Sequence, residues 1–356
     1  MIFLIRVFLY PLLVLIELPA RFLNWVSIRI GRIESKYEIL GEIKPSKNVA
    51  VFAVYPETTT WESFHRAALT LVELDYQLIC VVNSNKYADA WLLRMQNSGF
   101  TTIKRPNVGA DFGAYKLGIK IIKQKNIFKN IDNLLLINDS IYFTPKSVES
   151  LKKIGGVDSE YNCLYLHRQS IPHAGSMMIR FDRSVLNKRD FSIFWKKYFS
   201  YSDKKKTIRK GEHKLSKISG IDYFQPYISL KNPKLKSDLV LKNPDIFQVL
   251  TWAERSAGAA ASYLDKAYKS GDHIRIIEYV LFNLQASNSL GLFFSREIGA
   301  PLKMDLVSSG LINPSDFIQT LIEGGCSSSE ISSAERLIIL RGSYFSRTTF
   351  ERIRQG

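Results

Sequence analysis

Residues 105–143 read RPNVGADFGAYKLGIKIIKQKNIFKNIDNLLLINDSIYF, and how this stretch folds decides the rest. Asn107, Gly109 and Asp111 form a glycine turn with a polar residue on each side, placed where a helix should start. Phe112, Tyr115, Ile119 and Ile122 then recur at helical spacing, while Lys116, Lys120 and Lys123 take the other face. Residues 134–137 are a continuous aliphatic run that stops at Asn138-Asp139-Ser140. A buried parallel strand has this pattern, with polar groups where its carboxyl end leaves the sheet. Ligands of open α/β sheets bind at that edge. Asp111 alone fits a helix-start residue that satisfies free N–H groups. Two polar turns on one sheet edge make a pocket instead.

Working outward, the residues before this stretch alternate in type. Residues 49–55 and 77–82 are strand-like runs, 61–74 and 88–96 are helix-like, and 101–105 form a short strand feeding the glycine turn. This order predicts an α/β fold with a mostly parallel sheet, right-handed crossovers and flanking helices. Neither G-x-G-x-x-G nor G-x-x-x-x-G-K-[ST] occurs at the βα turns, which argues against a dinucleotide dehydrogenase or a P-loop enzyme. Beyond the stretch, residues 146–154 read as a helix, 162–166 and 176–181 as strands, and 191–199 as an aromatic helix with Trp195 in the core. Residues 203–214 carry six cations and read as a solvated loop or as a flap that screens a diphosphate. Past Pro244 the pattern is largely helical, with breaks near 287–291 and 324–329. The expected organisation is a hydrophobic, membrane-associating segment over 1–44, an α/β domain over 45–243 that carries both polar turns, and a helical C-terminal region over 244–356.

Forty-nine Lys and Arg against 33 Asp and Glu leave a net charge of +16, which favours anionic partners. The 46% hydrophobic share excludes general disorder. Cys80, Cys163 and Cys326 are widely spaced and form no disulfide framework or CxxC pair, so a reducing compartment is the simpler expectation. The basic residues follow no recognisable nucleic-acid motif, so no nucleic-acid partner is expected.

Residues 7–16 carry no charge, but Arg6, Glu17 and Arg21 bound the run, so about 20 apolar residues in a row are not reached. Phe22, Leu23, Trp25, Val26, Ile28 and Ile30, among Arg21, Arg29 and Arg32, suit an interfacial segment. Residues 1–33 therefore read as a monotopic or re-entrant anchor on an anionic membrane surface, with a spanning helix or a docked hydrophobic helix as the alternatives. If the segment spans, its arginines place the remainder in the cytoplasm.

In A-type nucleotide-sugar glycosyltransferases one βα turn holds the nucleoside, and a later strand ends in an acidic motif that anchors a cation on the diphosphate. Asn138-Asp139-Ser140 resembles that motif, departing from D-x-D by having one carboxylate. The order N-x-G-x-D-x-G-A over 107–114, then N-D-S at 138–140, then P-H-x-x-S over 172–176 resembles the rhamnan synthesis protein F family. Phe194-Trp195, Glu212 with Leu215, residues 299–303 and Asn313-Pro314 extend the likeness to roughly residues 48–315.

The resemblance implies a glycosyltransferase of bacterial surface polysaccharide synthesis, rhamnose being among the family's sugars. It would move a sugar from a nucleotide sugar to a lipid-linked or growing glycan at the cytoplasmic face of the inner membrane. It implies donor contacts from Asn107, Gly109 and Asp111, with Asn138 and Ser140 orienting Asp139. Asp139 would hold a divalent cation, Mg²⁺ or Mn²⁺, on the diphosphate. His173 is open between metal ligand, diphosphate donor, general base and plain loop histidine. Glu212 is a base or a neutraliser of its cationic neighbours, and Lys303 a phosphate contact or a solvated lysine. A glycan-binding or assembly subunit without chemistry is the competing reading, suggested by the single carboxylate.

Overall fold

The computed structural model describes residues 36–229 and 286–340, apart from 57, 58, 85, 86, 169, 170, 202, 309 and 310, together with 266, 269–271, 275, 278 and 279. The anchor reading of residues 1–33 and the boundary at 243–244 fall outside these residues. Among the described residues no helix is long and apolar enough to cross a membrane.

The chain is a mixed α/β protein built on a mostly parallel six-stranded sheet. Its strands are β1 (Glu38–Leu40), β2 (Asn48–Val54), β3 (Tyr76–Ser84), β4 (Thr101–Pro106), β5 (Asn133–Asn138) and, later in the chain, β9 (Met178–Asp182), in spatial order β1-β4-β3-β2-β5-β9. The four middle strands are parallel, and β1 and β9 close the two edges antiparallel. β2 reads NVAVFAV and is buried throughout because both of its faces are covered. Ala50, Phe52 and Val54 belong to one apolar cluster, and Val49, Val51 and Ala53 to the other, as the two-residue strand period requires.

Helices Trp61–Glu73 and Ala88–Asn97 pack on the first face, with Phe64, Ala68, Leu92 and Met95 buried there. Helix Ala110–Gln124 packs on the second, through Phe112, Tyr115, Ile119 and Ile122. The change of face follows from topology. The chain moves outward from β2 to β3 to β4, then returns across both to β5 beside β2, and crossovers of one hand put the returning helix on the opposite face. Between β2 and β5 the order of connection reverses, which is where open α/β sheets form their ligand crevice.

Several elements differ from the sequence reading. The strand expected over 162–166 contracts to β7 (Leu166–His167), paired with β8 (His173–Ala174), while Cys163 contributes isolated bridges to Ile179 and Pro226. Residues 203–214 are not a loop. Lys204–Thr207, a π turn over Ile208–Glu212 and helix His213–Ser219 follow one another directly. The exposed cations masked an apolar stripe that includes Leu215, which is buried against the second face.

In the C-terminal part, helices Gly291–Ile298, Pro314–Glu323 and Ser328–Leu340 share the first-face core with β2 through Leu292 and Phe294, Phe317 and Leu321, and Ala334 and Leu337 respectively. β6 (Ile141–Tyr142), which leaves the Asn138-Asp139-Ser140 turn, pairs with β10 (Leu302–Lys303). Met304 N–H donates to the Ser140 carbonyl at 2.8 Å. The C-terminal part is thereby attached to the end of the acidic turn.

Candidate functional site

Because β2, β4 and β5 are parallel, the turns after their carboxyl ends share one edge. At the β4 turn Gly109 adopts φ +80°, and Ala110 follows at φ +49°, a conformation uncommon without glycine. A β-carbon on Gly109 would stand 2.4 Å from Ser200 Cβ, so glycine is required for space as well as for dihedral. Behind the turn, buried Arg105 donates to the Pro106 carbonyl at 2.9 Å and also to the Val108 carbonyl. Asn107 is exposed, whereas Asp111 is half-buried in the first turn of its helix.

The β4 and β5 turns meet. Asn138 Nδ2 donates to Asp111 Oδ2 at 2.8 Å and lies 3.4 Å from the Ser176 carbonyl. Its amide oxygen accepts the Ser140 N–H at 3.0 Å and the Ser140 hydroxyl. One buried amide therefore ties Asp111, Ser140 and Ser176 together. Asp139 sits at the β2–β5 reversal, where its carboxylate accepts the Tyr55 N–H and its own N–H donates to the Ala53 carbonyl at 3.2 Å. The Tyr55 phenol lies well above its ordinary pKa, first through burial, then through the Asp111 carboxylate, with Arg105 opposing and Asp139 adding to the rise. Asp111, Asp139 and Arg105 thus act electrostatically on one phenol.

A second cluster flanks this crevice. Glu212, in the π turn, accepts the Ser176 hydroxyl at 2.6 Å and the Ser176 N–H at 3.3 Å through Oε1, and its Oε2 lies 3.4 Å from His173 Nε2. Glu212 closes the π turn with its carboxylate on these buried partners while Lys206, Arg209, Lys210 and Lys214 around it are exposed, and π turns are frequent at functional sites. His173 Nδ1 lies 2.8 Å from the Ile171 carbonyl. With an oxygen acceptor at each ring nitrogen, a neutral imidazole would leave one lone pair facing an oxygen, so the protonated form is favoured. The balance of effects agrees. Burial pushes His173 down, but Glu212 and the Ile171 carbonyl outweigh it and leave the pKa raised. Burial pushes the Glu212 carboxyl up, but His173 and Ser176 outweigh that and leave it lowered. Two more histidines adjoin, with ring centroids of His213 and His167 at 4.4 and 5.2 Å from His173. Burial, then the His173 charge, holds His167 at about 4, with Lys303 also lowering it, so Lys303 lies on this side of the site. Lys303 Nζ donates to Asn288 Oδ1 at 2.6 Å and lies 3.4 Å from Asp305.

Of the residues expected from sequence, Asp111, Asn138, Ser140, His173 and Glu212 are therefore linked through Asn138 and Ser176, with Asp139 adjoining on the backbone. Tyr115, which helical spacing marks only as part of the apolar face, donates its hydroxyl to the Ser176 carbonyl at 2.8 Å and belongs to the same network. The sequence pattern marks Tyr55 and His167 only as strand ends, with no functional role. Glu212 sits in a helix, correcting the basic-loop placement. Among the described residues no group of three His, Cys, Asp or Glu side chains is arranged to hold a metal ion.

No protein-family model matches the chain. It is similar to "Uncharacterized protein y4gN" of Sinorhizobium fredii (strain NBRC 101917 / NGR234), 27% identical over 188 residues, covering 48% of this chain and 45% of that protein. The chain thus matches less than half the length of that relative.

Proposed function

We propose that the chain is a membrane-associated glycosyltransferase that moves a sugar from a nucleotide sugar to a lipid-linked or growing glycan of the bacterial surface. The observation that carries this reading is the junction of the β4 and β5 turns at the sheet reversal, where Asn138 joins Asp111 to the Ser140 turn and Asp139 lies alongside. This is the place at which an α/β sheet receives a nucleotide, and the likeness to rhamnan synthesis protein F points to the same turns.

In the reaction an acceptor hydroxyl oxygen bonds to the anomeric carbon as the bond from that carbon to the diphosphate breaks. The hydroxyl proton passes to the protein, and the nucleoside diphosphate leaves. Both His173 ring nitrogens already face an oxygen, that of the Ile171 carbonyl or of Glu212, so of the two residues Glu212 is assigned as the base. Its lowered pKa makes it a modest one, which shifts the larger share of catalysis to neutralising the diphosphate. His173 and Lys303 supply positive charge on that side of the crevice.

A divalent cation supplies the same neutralisation when bound. Asp139 and Asp111 are the residues that would hold it, and one or two carboxylates completed by phosphate oxygens is a common Mg²⁺ donor set.

Substitution Asp139→Asn keeps the side-chain shape and removes the charge. It is expected to lower turnover of the nucleotide sugar at least about tenfold, by the scale of losses seen on altering metal surroundings. Unchanged turnover by the variant sinks the assignment. Nucleotide binding with no transfer to any glycan acceptor would leave the non-catalytic subunit reading in its place.

A further inference from the structure

Helices Ala110–Gln124 and Arg189–Lys197 lie side by side on the second face of the sheet, and between them runs a groove of about 680 Å³. Lys116, Lys120, Lys123, Arg189 and Lys196 line it, and no Asp or Glu is among the described lining residues. The floor is apolar, formed with Ile119, Ile193 and Trp195, of which Ile119 and Trp195 are buried. Lys123 Nζ is steadied by Ser192 Oγ at 3.2 Å and lies 4.6 Å from the Phe128 ring centroid, and burial lowers its pKa. Asp190 is exposed beside Arg189 but does not line the groove.

Lys116, Lys120 and Lys123 are three and four residues apart on one helix face, where like charges repel. A stripe of this kind over an apolar floor suits an amphiphile with an anionic head. A second observation says which. Tyr37, close in sequence after residues 1–33, lies at this groove: Tyr37 Oη is 3.5 Å from Gln124 Oε1, and Lys120 Nζ is 5.8 Å from the Tyr37 ring centroid. Both Lys120 and Gln124 line the groove. The preceding residues are the apolar 7–16 run and the Trp25 segment with Arg21, Arg29 and Arg32, whose own cations make them a poor occupant of a cationic groove.

We infer that this groove is a docking face for anionic phospholipid, taking phosphate headgroups on its lysines and arginine, so that the second face of the sheet is turned to the membrane. The inference rests on the membrane association proposed above and not on the chemistry of transfer. Each cation near an anionic bilayer strengthens binding by about fivefold.

The test uses the full chain with vesicles of phosphatidylcholine alone, or of phosphatidylcholine with phosphatidylglycerol. Wild type is expected to prefer the anionic vesicles, and Lys120→Gln with Lys196→Gln to lose about tenfold or more of that preference. Lys152→Gln with Lys153→Gln removes equal charge from helix Val148–Gly155, which packs on the opposite face, and should lose little. Equal losses from the two double variants, or a wild type indifferent to lipid charge, overturn the inference.

Amine labelling of the unaltered protein gives a second reading, independent of how the variants fold. Anionic vesicles should shield Lys120 and Lys196 and leave Lys152 and Lys153 reactive. Shielding to the same extent by inorganic phosphate alone would make the groove a free-anion site and also overturn the inference. Donor-nucleotide binding by the Lys120/Lys196 variant should match wild type. Failure of the lipid test with intact nucleotide binding therefore counts against the groove alone.

Discussion

Asn138, at the end of β5, donates a 2.8 Å hydrogen bond to Asp111, 27 residues earlier and across the β4 turn. Neither residue type is unusual. Their meeting depends on helix Ala110–Gln124 crossing back over β3 and β2, which brings its own amino-terminal turn beside the strand that follows it. The amide presents a donor to the carboxylate and an acceptor to Ser140, a division that an aspartate at the same place cannot reproduce.

Substituting Asn138→Asp should therefore place two carboxyl groups in contact and raise the pKa of one of them. The stability loss is expected to be about 1–3 kcal/mol when both are ionised, and to shrink as the pH falls and one protonates. Urea denaturation at several pH values reads this directly. A loss independent of pH would mean that the two groups are not in contact.

The His173–Glu212 pair carries its own pH signature. His173 is raised above its ordinary 6.5, so its contribution to stability is complete below pH 6.5 and is lost as pH rises through the folded value. Glu212 is lowered below 4.5, so its contribution is complete above pH 4.5 and is lost as pH falls through the folded value. The stability difference between wild type and Glu212→Gln is thus expected to be largest between pH 4.5 and 6.5. In the variant, burial outweighs the Ile171 carbonyl and His173 should titrate below 6.5, as followed by imidazole resonances. His167, held at about 4 in the wild type, acts in the opposite sense and destabilises the fold progressively as pH falls from 6.5.

Gly109 and Gly99 have nearly equal φ, +80° and +75°, but different surroundings. A β-carbon at Gly99 meets nothing within 4 Å, whereas at Gly109 it strikes Ser200. Gly99→Ala should cost about 1–2 kcal/mol from backbone conformation alone. Gly109→Ala is expected to cost about 1–3 kcal/mol more, the range for overpacking, and to weaken nucleotide binding in a thermal-shift titration. Equal costs at the two positions would show that Ser200 moves aside freely.

The parallel core was legible because β2 and β5 are unbroken aliphatic runs and the helices between them keep a clear period, as Phe112, Tyr115, Ile119 and Ile122 do. The two polar turns could be put on one edge because parallel strands leave no other choice. What escaped was non-local or hidden by charge. Ser176 reaches Glu212 through a π turn, which hydrophobic periodicity does not mark, and the cations at 204–214 made a helix look like a loop. β7 and β8 are two residues each, too short for alternation to register. Tyr115 satisfied the helix period so well that its hydroxyl was overlooked.

Arg180, on β9, offers the clearest test of how the edge strand is held to the rest of the molecule. It is buried, and its two terminal nitrogens donate to the carbonyls of Gly156 and Val157 at 2.5 and 3.0 Å and of Ser159 and Tyr161 at 2.8 and 3.3 Å. One guanidinium thus fastens the loop after helix Val148–Gly155 to the edge strand. A lysine carries the same charge but has a single nitrogen and lacks the planar fork, so Arg180→Lys leaves some of these buried carbonyls without a donor. The expected loss is about 2–4 kcal/mol, one or two charge-assisted hydrogen bonds, with the midpoint of urea unfolding lowered and its slope unchanged. Arg180→Met should lose more, because all four carbonyls then lose the guanidinium, and Gly156 keeps only the Ser159 N–H at 3.2 Å. If the methionine variant instead matches wild type, water reaches this loop and Arg180 is not what holds it.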